Sequence, residues 1–485
     1  MKGMLIKMKK IVLVYDDTIE VNDRIKTIIG NKSFGEMVLK REKMYSRIVD
    51  IVKETKKDIE IIKISNQSQF EKINSYPKDT TFFHLKSNSA IIDKEQFKII
   101  IEKLEFIKEA TSVVSSNKIM GIIYPNKDQY IDFIKEYIAT GKTDVVKISN
   151  EIQADIFVDL TDYNNLLMYI SSGFDARYFN SIMGDSYSVT KRSSDKKKMK
   201  KEYTYYWLLP EHMKNWMVMP YNYKEYDESA SYTMERMPMT DIAIRWTHGA
   251  IDIEEFNRIL DKTFYLINSR DVKEINKEDY IKSADKLYLS KVDERIEKLK
   301  QLDQYANLQL LIESGTEFSS IDDIITLYKK IYQNLTKEFY KKTKYISVIG
   351  HGDLFFANML YSKEVNLLRL IDPKGALTEE DLWTNPYYDI AKLSHSICGK
   401  YDFFNTGDYN IELNKNMKFA LKVNFNNEKY VELFKQYLQE YGYDYKMVRL
   451  YEASLFLSML PLHIDNPHKV FGFILNAINI LKEIE

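Results

Sequence analysis

The chain has 485 residues, of which 45% are hydrophobic and 29% charged, and its 70 basic side chains are balanced by 71 acidic ones. A chain of this length predicts at least two domains, because a single core rarely serves more than about 250–300 residues. The near-neutral charge excludes the basic surface typical of proteins that bind nucleic acids. Cys398 is the only cysteine, which excludes a disulfide framework and a multi-cysteine zinc site and favours the reducing cytoplasm. No apolar run approaches the roughly 20 residues of a membrane span, so we expect no stable membrane insertion.

Strand-like and helix-like segments alternate over the first 150 residues, beginning with the apolar run that ends at Tyr15. The pattern predicts strands at Lys10–Tyr15, Asp58–Ile64, Thr80–Leu85 and Ser115–Tyr124, and helices at Met37–Lys53, Lys94–Ile107 and Gln129–Ile138. This alternation predicts an open, largely parallel α/β sheet. We place the end of this first domain, residues 1–160, near the strand that begins at Phe157.

Residues 161–485 follow another pattern. A β-rich segment at about 170–240 precedes a mainly helical segment at about 241–485. We expect strands at Tyr187–Lys191, Trp216–Tyr221 and Tyr232–Met234, with a helix at Met199–Leu209, and later helices at Glu254–Ile267, Glu274–Lys300 and Ser320–Lys342. A small β-rich lobe before a larger helical lobe is the outline of a kinase. The predicted fold class is an α/β N-terminal domain plus an α+β bilobal, protein-kinase-like domain.

The strongest motif is His351-Gly-Asp353-Leu-Phe-Phe-Ala-Asn358, and Asp372 follows Asn358 by 14 residues at the end of an apolar run. Phosphoryl transfer needs a carboxylate near the acceptor hydroxyl and oxygen ligands for Mg²⁺. Asp353 would be the base, while Asn358 and Asp372 would bind the metal. The alternative is an ordinary β-hairpin, but the flanking apolar runs and the spacing favour a kinase site.

These motifs resemble the aminoglycoside phosphotransferase and choline/ethanolamine kinase superfamily, whose catalytic loop reads H-G-D-x-x-x-x-N and whose metal aspartate lies in an I-D-x segment. Protein kinases are less similar, because Gly352 stands where they have arginine and Asp372-Pro-Lys replaces D-F-G. Ile371–Gly375 and Pro386–His395 most resemble kinase-like proteins of bacterial capsule and surface-glycan loci. The resemblance covers about 175–470 and implies ATP, Mg²⁺ and a small-molecule acceptor such as a sugar, an amino alcohol or a related glycan precursor.

The β-rich segment contains the expected nucleotide contacts. Lys191 ends a predicted strand and Glu202 lies on the next helix, so the lysine would reach the α- and β-phosphates and the glutamate would hold it. The alternatives are a solvent-facing strand lysine and an ordinary helix-surface glutamate. By resemblance, Glu235 and Met237 are the hinge contacts to adenine. Phe179–Ser186 departs from a G-x-G-x-x-G loop because it contains a single glycine.

Further residues near the motif have supporting roles by resemblance. Asp389 is similar to a structural aspartate that orients the catalytic loop, although the helix dipole also favours an acid at a helix N-terminus. His351 would shape the loop and not carry protons, and His395 is interpreted as a packed helix residue. Candidates for lining the acceptor pocket are Trp246, His248, Trp383, Tyr387 and Tyr388.

The N-terminal domain faintly resembles a sugar-phosphate nucleotidyltransferase. Such an enzyme needs a glycine-rich loop after its first strand and a metal-binding aspartate after a middle strand. Asp16-Asp17-Thr18 follows the first strand instead, and Lys86-Ser-Asn-Ser89 follows the middle one. We therefore interpret this domain as degenerate and non-catalytic. Two alternatives for the whole protein are a pseudokinase scaffold in glycan assembly and a nucleotidyltransferase.

Overall fold

The computed structural model describes residues 9–39, 41–142, 148, 150–171, 180–184 and 187–485. The chain divides into two compact units, Met1–Asp175 and Ala176–Glu485. The division lies beyond the boundary expected near residue 160, because the helix Tyr163–Ile170 belongs to the first unit. Its Tyr169 hydroxyl accepts a hydrogen bond from Arg47 Nη1 at 3.2 Å.

Strands and helices alternate in the first unit. Its strands are β1 Ile11–Asp16, β2 Val38–Leu39, β3 Glu42–Lys43, β4 Ile59–Ile64, β5 Thr81–Lys86, β6 Ser89–Ile91, β7 Thr111–Ser115, β8 Lys118–Tyr124, β9 Asn150–Gln153 and β10 Phe157–Asp159. Its helices are α1 Asp23–Ile29, α2 Met44–Glu54, α3 Lys94–Lys103, α4 Lys127–Thr140 and α5 Tyr163–Ile170. Four of these helices begin after an Asn or Asp whose side chain accepts a backbone N–H of the first turn, as N-caps do: Asn22, Asp93, Asn126 and Asp162.

The main sheet of the first unit has the strand order β4-β1-β5-β8-β7-β9. Strand β1 is parallel to β4 and β5, but β8 is antiparallel to both β5 and β7. The expectation of a largely parallel sheet is corrected accordingly, since the sheet is mixed. The physical reason is a hairpin between β7 and β8, whose turn residues Ser116 and Asn117 have positive φ angles of 49° and 62°, the conformation of a tight hairpin turn.

Both faces of this sheet are buried, which β1 shows most clearly. Ile11, Leu13 and Tyr15 belong to one hydrophobic cluster, while Val12 and Val14 belong to another. Successive side chains of a strand point to opposite faces, so a continuous apolar run fits a strand covered on both sides.

The second unit begins with a four-stranded antiparallel sheet and continues with a large helical region. Its strands are β11 Asn180–Gly184, β12 Ser188–Ser193, β13 Pro220–Glu225, β14 Ala230–Glu235, β15 Thr240–Asp241, β16 Val272–Glu274, β17 Ile346–Ile349, β18 Met359–Ser362, β19 Leu367–Leu370, β20 Trp383–Thr384, β21 Asn410–Leu413 and β22 Phe419–Lys422. Its helices are α6 Lys196–Leu208, α7 Glu211–Lys214, α8 Ile242–Thr247, α9 Ile253–Asn268, α10 Lys277–Asp285, α11 Lys291–Lys300, α12 Tyr305–Gly315, α13 Ile321–Phe339, α14 Tyr387–Ile397, α15 Tyr401–Thr406, α16 Glu428–Glu440, α17 Tyr445–Met459 and α18 Pro467–Ile484.

The small sheet has the order β11-β12-β14-β13, and α6 follows its central strand β12. Lys191 on β12 lies opposite Tyr232 on β14, and both side chains are buried. The segment after β14 leads to β15, which pairs with β18 of a second, three-stranded sheet. In the sequence, the β18–β19 hairpin lies between the His351–Asn358 motif and Asp372.

None of the helices in the described ranges combines the length and the apolarity that crossing a lipid bilayer requires.

Candidate active site

A buried carboxylate holds the start of the motif loop. The Asp389 side chain, in the first turn of α14, accepts hydrogen bonds from the backbone N–H groups of His351 at 2.9 Å and Gly352 at 2.8 Å. Arg270 Nη1 donates to the same carboxylate at 3.0 Å. Gly352 has a φ of 77°, a conformation in which glycine is favoured. Asp389 therefore orients the loop through its backbone and leaves the Asp353 side chain free for other contacts.

His351 connects the loop to the end of β19. Its Nε2 lies 3.0 Å from the Ile371 carbonyl oxygen, which can only accept a hydrogen bond, so Nε2 carries the proton. Burial lowers the pKa of His351 although the nearby Asp389 carboxylate opposes the shift. A neutral imidazole that holds two backbone segments together has a shaping role.

Asn358 closes the loop back toward Asp353. Its Nδ2 donates to the Asp353 carbonyl at 2.9 Å and lies 3.3 Å from Asp353 Oδ2 and 3.4 Å from the Asp372 carbonyl oxygen. All three contacts use the amide nitrogen, so the amide oxygen is the atom that can coordinate a cation. The Asp353 and Asp372 side chains are each 36% exposed. Both carboxylates can thus reach a ligand.

Lys191, Glu202 and Asp372 form one charged cluster. Lys191 Nζ lies 2.7 Å from Glu202 Oε2 and 2.9 Å from Asp372 Oδ1, and the Tyr232 hydroxyl donates to Glu202 at 2.9 Å. Burial alone would lower the pKa of Lys191, but the two carboxylates together raise it above its ordinary value. The lysine is therefore a fixed positive charge between strand β12, helix α6 and the loop after β19.

The backbone after β19 is shaped to reach this cluster. Asp372 has a positive φ of 54°, and Gly375 has one of 85°. A Cβ atom at Gly375 would lie 2.6 Å from the Lys201 carbonyl carbon of α6, and the next residue, Ala376, donates its N–H to the Lys201 oxygen at 3.0 Å. Only glycine permits this approach without strain. The loop that carries Asp372 is thus tied to the helix that carries Glu202.

Lys392 is a site residue that the sequence reasoning missed. Its Nζ lies 2.8 Å from Asp353 Oδ1, and its side chain is 14% exposed. Burial would lower the pKa of Lys392, but the Asp353 carboxylate raises it above its ordinary value. The available signal was spacing, since Lys392 follows Asp389 by one helical turn and therefore lies on the same face of α14.

The expected hinge residues lie at the end of strand β14 and just after it. Glu235 is the last residue of β14, opposite Ser188 of β12, and its side chain is exposed. Met237 is half-buried, and its carbonyl accepts the Met239 N–H at 2.8 Å. Among the hydrogen bonds of the described residues, none links either residue to the motif loop. Within Phe179–Ser186, only Asn180–Gly184 is described, as strand β11; Phe179, Asp185 and Ser186 lie outside the described residues.

The candidate acceptor-lining aromatics have separate environments. Trp246 is 1% exposed and packs in the core against Phe256 and Phe356, so the expectation that it lines a pocket is corrected. His248 Nδ1 lies 2.7 Å from the Ile244 carbonyl oxygen of its own helix. Three further positions are in contact with neighbours: Trp383 beneath the Lys273 ammonium, the Tyr387 hydroxyl with the Asp444 N–H, and the Tyr388 hydroxyl with Lys291 Nζ.

His395 is buried as expected of a packed helix residue. Its ring stacks on Tyr401 with centroids 4.1 Å apart and meets Phe456 edge-on. Burial lowers its pKa well below the ordinary value, which keeps the ring neutral.

The donor set fits Mg²⁺ better than a transition metal. Mg²⁺ is usually held by one or two protein oxygens together with substrate phosphates, whereas zinc needs a closed set of His, Cys or carboxylate ligands. Asp372 and Asn358 supply two such oxygens. Over the described ranges, no three His, Cys, Asp or Glu side chains are grouped to hold a metal ion by themselves. The residues present thus suit a metal that a phosphate ligand completes.

The acidic pair of the first unit has protein partners instead. The Asp16 carboxylate accepts the Tyr137 hydroxyl at 2.6 Å and the Thr18 hydroxyl at 2.7 Å, and lies 3.3 Å from His84 Nε2. Asp17 accepts hydrogen bonds from the Ser33 hydroxyl at 2.6 Å and the Gly35 N–H at 2.9 Å. It also forms an ion pair with Lys63 at 3.0 Å. These contacts within the protein account for both carboxylates without a ligand.

No family model matches the chain, and no curated protein sequence matches it. Among solved structures, it is similar to the apo form of a thermostable mutant of aminoglycoside phosphotransferase APH(4)-Ia, with 9% identity over 66% of this chain and 98% of the other, at a TM-score of 0.35. It is also similar to aminoglycoside phosphotransferase APH(3'')-Id from Streptomyces rimosus in complex with ADP and streptomycin, with 14% identity over 61% of this chain and 96% of the other, at a TM-score of 0.32. Identities and TM-scores at this level assign neither a family nor a substrate. The functional interpretation rests on the contacts described above.

Proposed function

We propose that the second unit is a kinase-like phosphotransferase that uses ATP and Mg²⁺ to phosphorylate a hydroxyl group of a small molecule. The observation that carries the proposal is the contact of Lys191 with both Glu202 and Asp372, beside the Asn358 and Asp353 loop. A strand lysine held by a helix glutamate, a loop aspartate and a metal-binding Asn–Asp pair are the parts that phosphoryl transfer requires. Five residues from two separate stretches of the sequence thus lie together, and they are of the types that this chemistry needs.

Each side chain has a task that follows from its contacts. Lys191 would exchange its contact with Asp372 for the nucleotide phosphates, while Glu202 and the Tyr232 hydroxyl keep it in place. Asp372 Oδ1 and the Asn358 amide oxygen would hold Mg²⁺, which when bound neutralises the charge of the phosphates. Glu235 and Met237 would offer backbone groups to adenine from the segment after β14.

Asp353 would orient the acceptor hydroxyl and receive its proton. In the transfer, a bond forms between the acceptor oxygen and the γ-phosphorus, and the bond from that phosphorus to the bridging oxygen of ADP breaks. The hydroxyl proton passes to an Asp353 carboxylate oxygen and then to solvent. Lys392 holds Oδ1 at 2.8 Å, so the carboxylate keeps one orientation during the reaction.

A direct experiment is ADP release by the purified full chain with Mg²⁺-ATP and a panel of sugars and amino alcohols. An acceptor-dependent rate above the ATPase background supports the proposal. Mg²⁺-dependent ATP binding without turnover on any acceptor would instead favour the pseudokinase scaffold, which the presence of Asp353, Asn358 and Asp372 disfavours.

We also propose that the acceptor is a surface-glycan precursor handled in the cytoplasm. The support is the resemblance of Ile371–Gly375 and Pro386–His395 to kinase-like proteins of capsule loci, together with a single cysteine. The first unit, for which a nucleotidyltransferase-like fold stays a prediction, would be non-catalytic because the chain after β1 lacks a glycine-rich phosphate loop. CTP-dependent pyrophosphate release by the purified protein would contradict that assignment.

A further inference from the structure

Three lysines from separate elements surround the phenol of Tyr388, next to Asp353. Lys291, at the start of α11, places Nζ 3.3 Å from the Tyr388 hydroxyl and 5.7 Å from its ring centroid. Lys374, in the loop after β19, has its Nζ 5.8 Å from the same centroid. Lys392 lies one helical turn after Tyr388 on α14. The fold therefore concentrates positive charge at one point of the candidate site.

The position of Lys374 relative to the motif loop is fixed by a close contact. A Cβ atom at Gly352 would lie 2.6 Å from Lys374 Cβ, so the lysine stem lies directly on the residue before Asp353. The backbone N–H of Lys374 donates to the His351 carbonyl at 3.0 Å. Lys374 is exposed, so its ammonium group is accessible to a ligand.

The lysine cluster, Lys291, Lys374 and Lys392, contains three positive charges, and the exposed Asp381 carboxylate interacts electrostatically with Lys374. Lys392 pairs with Asp353. Among the described residues, neither Lys291 nor Lys374 forms an ion pair with a carboxylate. Burial would raise the pKa of Tyr388, yet the three lysine charges lower it below its ordinary value. A buried phenol whose pKa falls indicates a net positive potential at this point.

The two oxygens of Asp353 face different residues. Oδ2 faces Asn358 Nδ2 at 3.3 Å, whereas Oδ1 faces Lys392 Nζ at 2.8 Å. In the proposed function the donor phosphates would contact Lys191, and Asn358 and Asp372 would hold their Mg²⁺. Lys392 contacts the Asp353 oxygen that does not face Asn358, so the lysine cluster adjoins the carboxylate that would orient the acceptor hydroxyl.

We propose that the lysine cluster binds an anionic group of the acceptor, so that the substrate is an alcohol already carrying a phosphate or a carboxylate. This inference rests on the proposed function and deepens it. An ammonium group recognises such an anion by charge-assisted hydrogen bonds. Aminoglycosides and choline, which carry positive charge, would be repelled at this position.

The test is a binding titration with inorganic phosphate on the full chain whose nucleotide site is saturated with AMP-PNP and Mg²⁺. The expected result is saturable phosphate binding that K291Q/K374Q weakens by at least about tenfold, because each lost charge-assisted contact is worth roughly that factor. K298Q, an exposed lysine on the same helix α11, is the matched control and leaves phosphate binding unchanged. AMP-PNP affinity stays within about twofold in both variants, and circular dichroism verifies their fold.

Three results would overturn the inference while the proposed function stands. The first is AMP-PNP binding without saturable phosphate binding, and the second is equal phosphate affinity in wild type and K291Q/K374Q. The third is weaker AMP-PNP binding in K291Q/K374Q with unchanged phosphate binding, which would assign the lysines to the donor. Absence of Mg²⁺-dependent AMP-PNP binding in the wild type would contradict the proposed function and, with it, this inference.

A turnover comparison distinguishes a phosphate from a carboxylate. Matched neutral sugars, their monophosphates and the corresponding sugar acids serve as acceptors in the ADP-release assay. We expect one anionic series to react faster than the neutral one, with KM rising about tenfold or more in K291Q/K374Q and little change in kcat. Faster turnover of neutral sugars, insensitive to K291Q/K374Q, would contradict the assignment.

Discussion

Asp16-Asp17 of the first unit and Asp353 with Asp372 of the second are two acidic pairs with opposite surroundings. The side chains of Asp16 and Asp17 are 0% and 1% exposed, whereas those of Asp353 and Asp372 are each 36% exposed. A buried carboxylate must be satisfied by the protein itself, because water cannot reach it. A carboxylate that is partly exposed keeps oxygen atoms with which it can bind a ligand.

The residues that contact the two acidic pairs also differ. Asp17 is held by a hydroxyl, a backbone N–H and Lys63, contacts that belong to the folded core. Asp353 and Asp372 each contact a lysine, Lys392 and Lys191, whose charge can be shared with an incoming phosphate. An acidic pair at the end of a strand can therefore bind a ligand when its oxygens are accessible, and its residue types alone do not decide this.

The largest expected effect is on turnover in D353N. Removal of the base is expected to lower kcat by about a thousandfold, within the range of general-base contributions, while Mg²⁺-ATP binding and the fold are preserved. ADP release with the best acceptor, together with a nucleotide titration, measures both quantities. Near-normal kcat in D353N would contradict the assigned role.

E202Q is expected to have a smaller effect of about ten- to a hundredfold on kcat/KM for ATP. The substitution keeps the side-chain shape but removes the charge that holds Lys191. K198Q is a suitable control, because Lys198 Nζ lies 3.8 Å from the other Glu202 oxygen and is mostly exposed. The assay is ADP release at varied ATP concentration, and equal kcat/KM in E202Q and K198Q would show that the glutamate has no such role.

D17N is the matched comparison for D353N in the first unit. Turnover is expected to stay within about twofold of the wild type, while the first unit loses on the order of 2 kcal/mol of unfolding free energy, because a buried ion pair is broken. Denaturant unfolding followed by circular dichroism, alongside ADP release, separates the two effects. A loss of turnover as large as that of D353N in a folded variant would show that the first unit takes part in the reaction.

The smallest expected effect is on the stability of the first unit toward acid. Burial alone would raise the pKa of Asp16, but His84 and the Tyr137 and Thr18 hydroxyl groups lower it to about 2. A depressed folded-state pKa contributes stability that is present above the unfolded value of about 3.9 and lost as the pH falls toward 2. The expected difference is about 2 kcal/mol between wild type and D16N at pH 6, shrinking toward pH 2. An unfolding free energy difference that is independent of pH would contradict this account.

Local patterns in the sequence predicted much of both units. The apolar run at Ile11–Asp16 and the helix at Lys196–Leu208 lie close to their expected positions, because hydrophobic periodicity reports burial directly. The β7–β8 hairpin changed the sheet from largely parallel to mixed, because Ser116 and Asn117 are not the usual Asn-Gly turn signal.

The candidate site was predicted only where its residues lie in a motif or at a recognisable spacing. Asp353 and Asn358 lie in one short loop, Asp372 follows after a single β-hairpin, and Lys191 and Glu202 lie on adjacent elements. Lys392 could have been predicted from its spacing to Asp389, but Lys291 and Lys374 could not, because each is an ordinary lysine in its own segment and only packing brings both to Tyr388.

The sequence by itself determined the residue types of the His351–Asn358 motif, their spacing and the absence of a glycine-rich loop after β1. Those properties are local, since they depend on residues within one turn or one hairpin. Only the tertiary structure decided which carboxylates are accessible and which lysines converge on them. Burial and electrostatic potential at one atom are sums over many distant segments, and no single stretch of the sequence contains them.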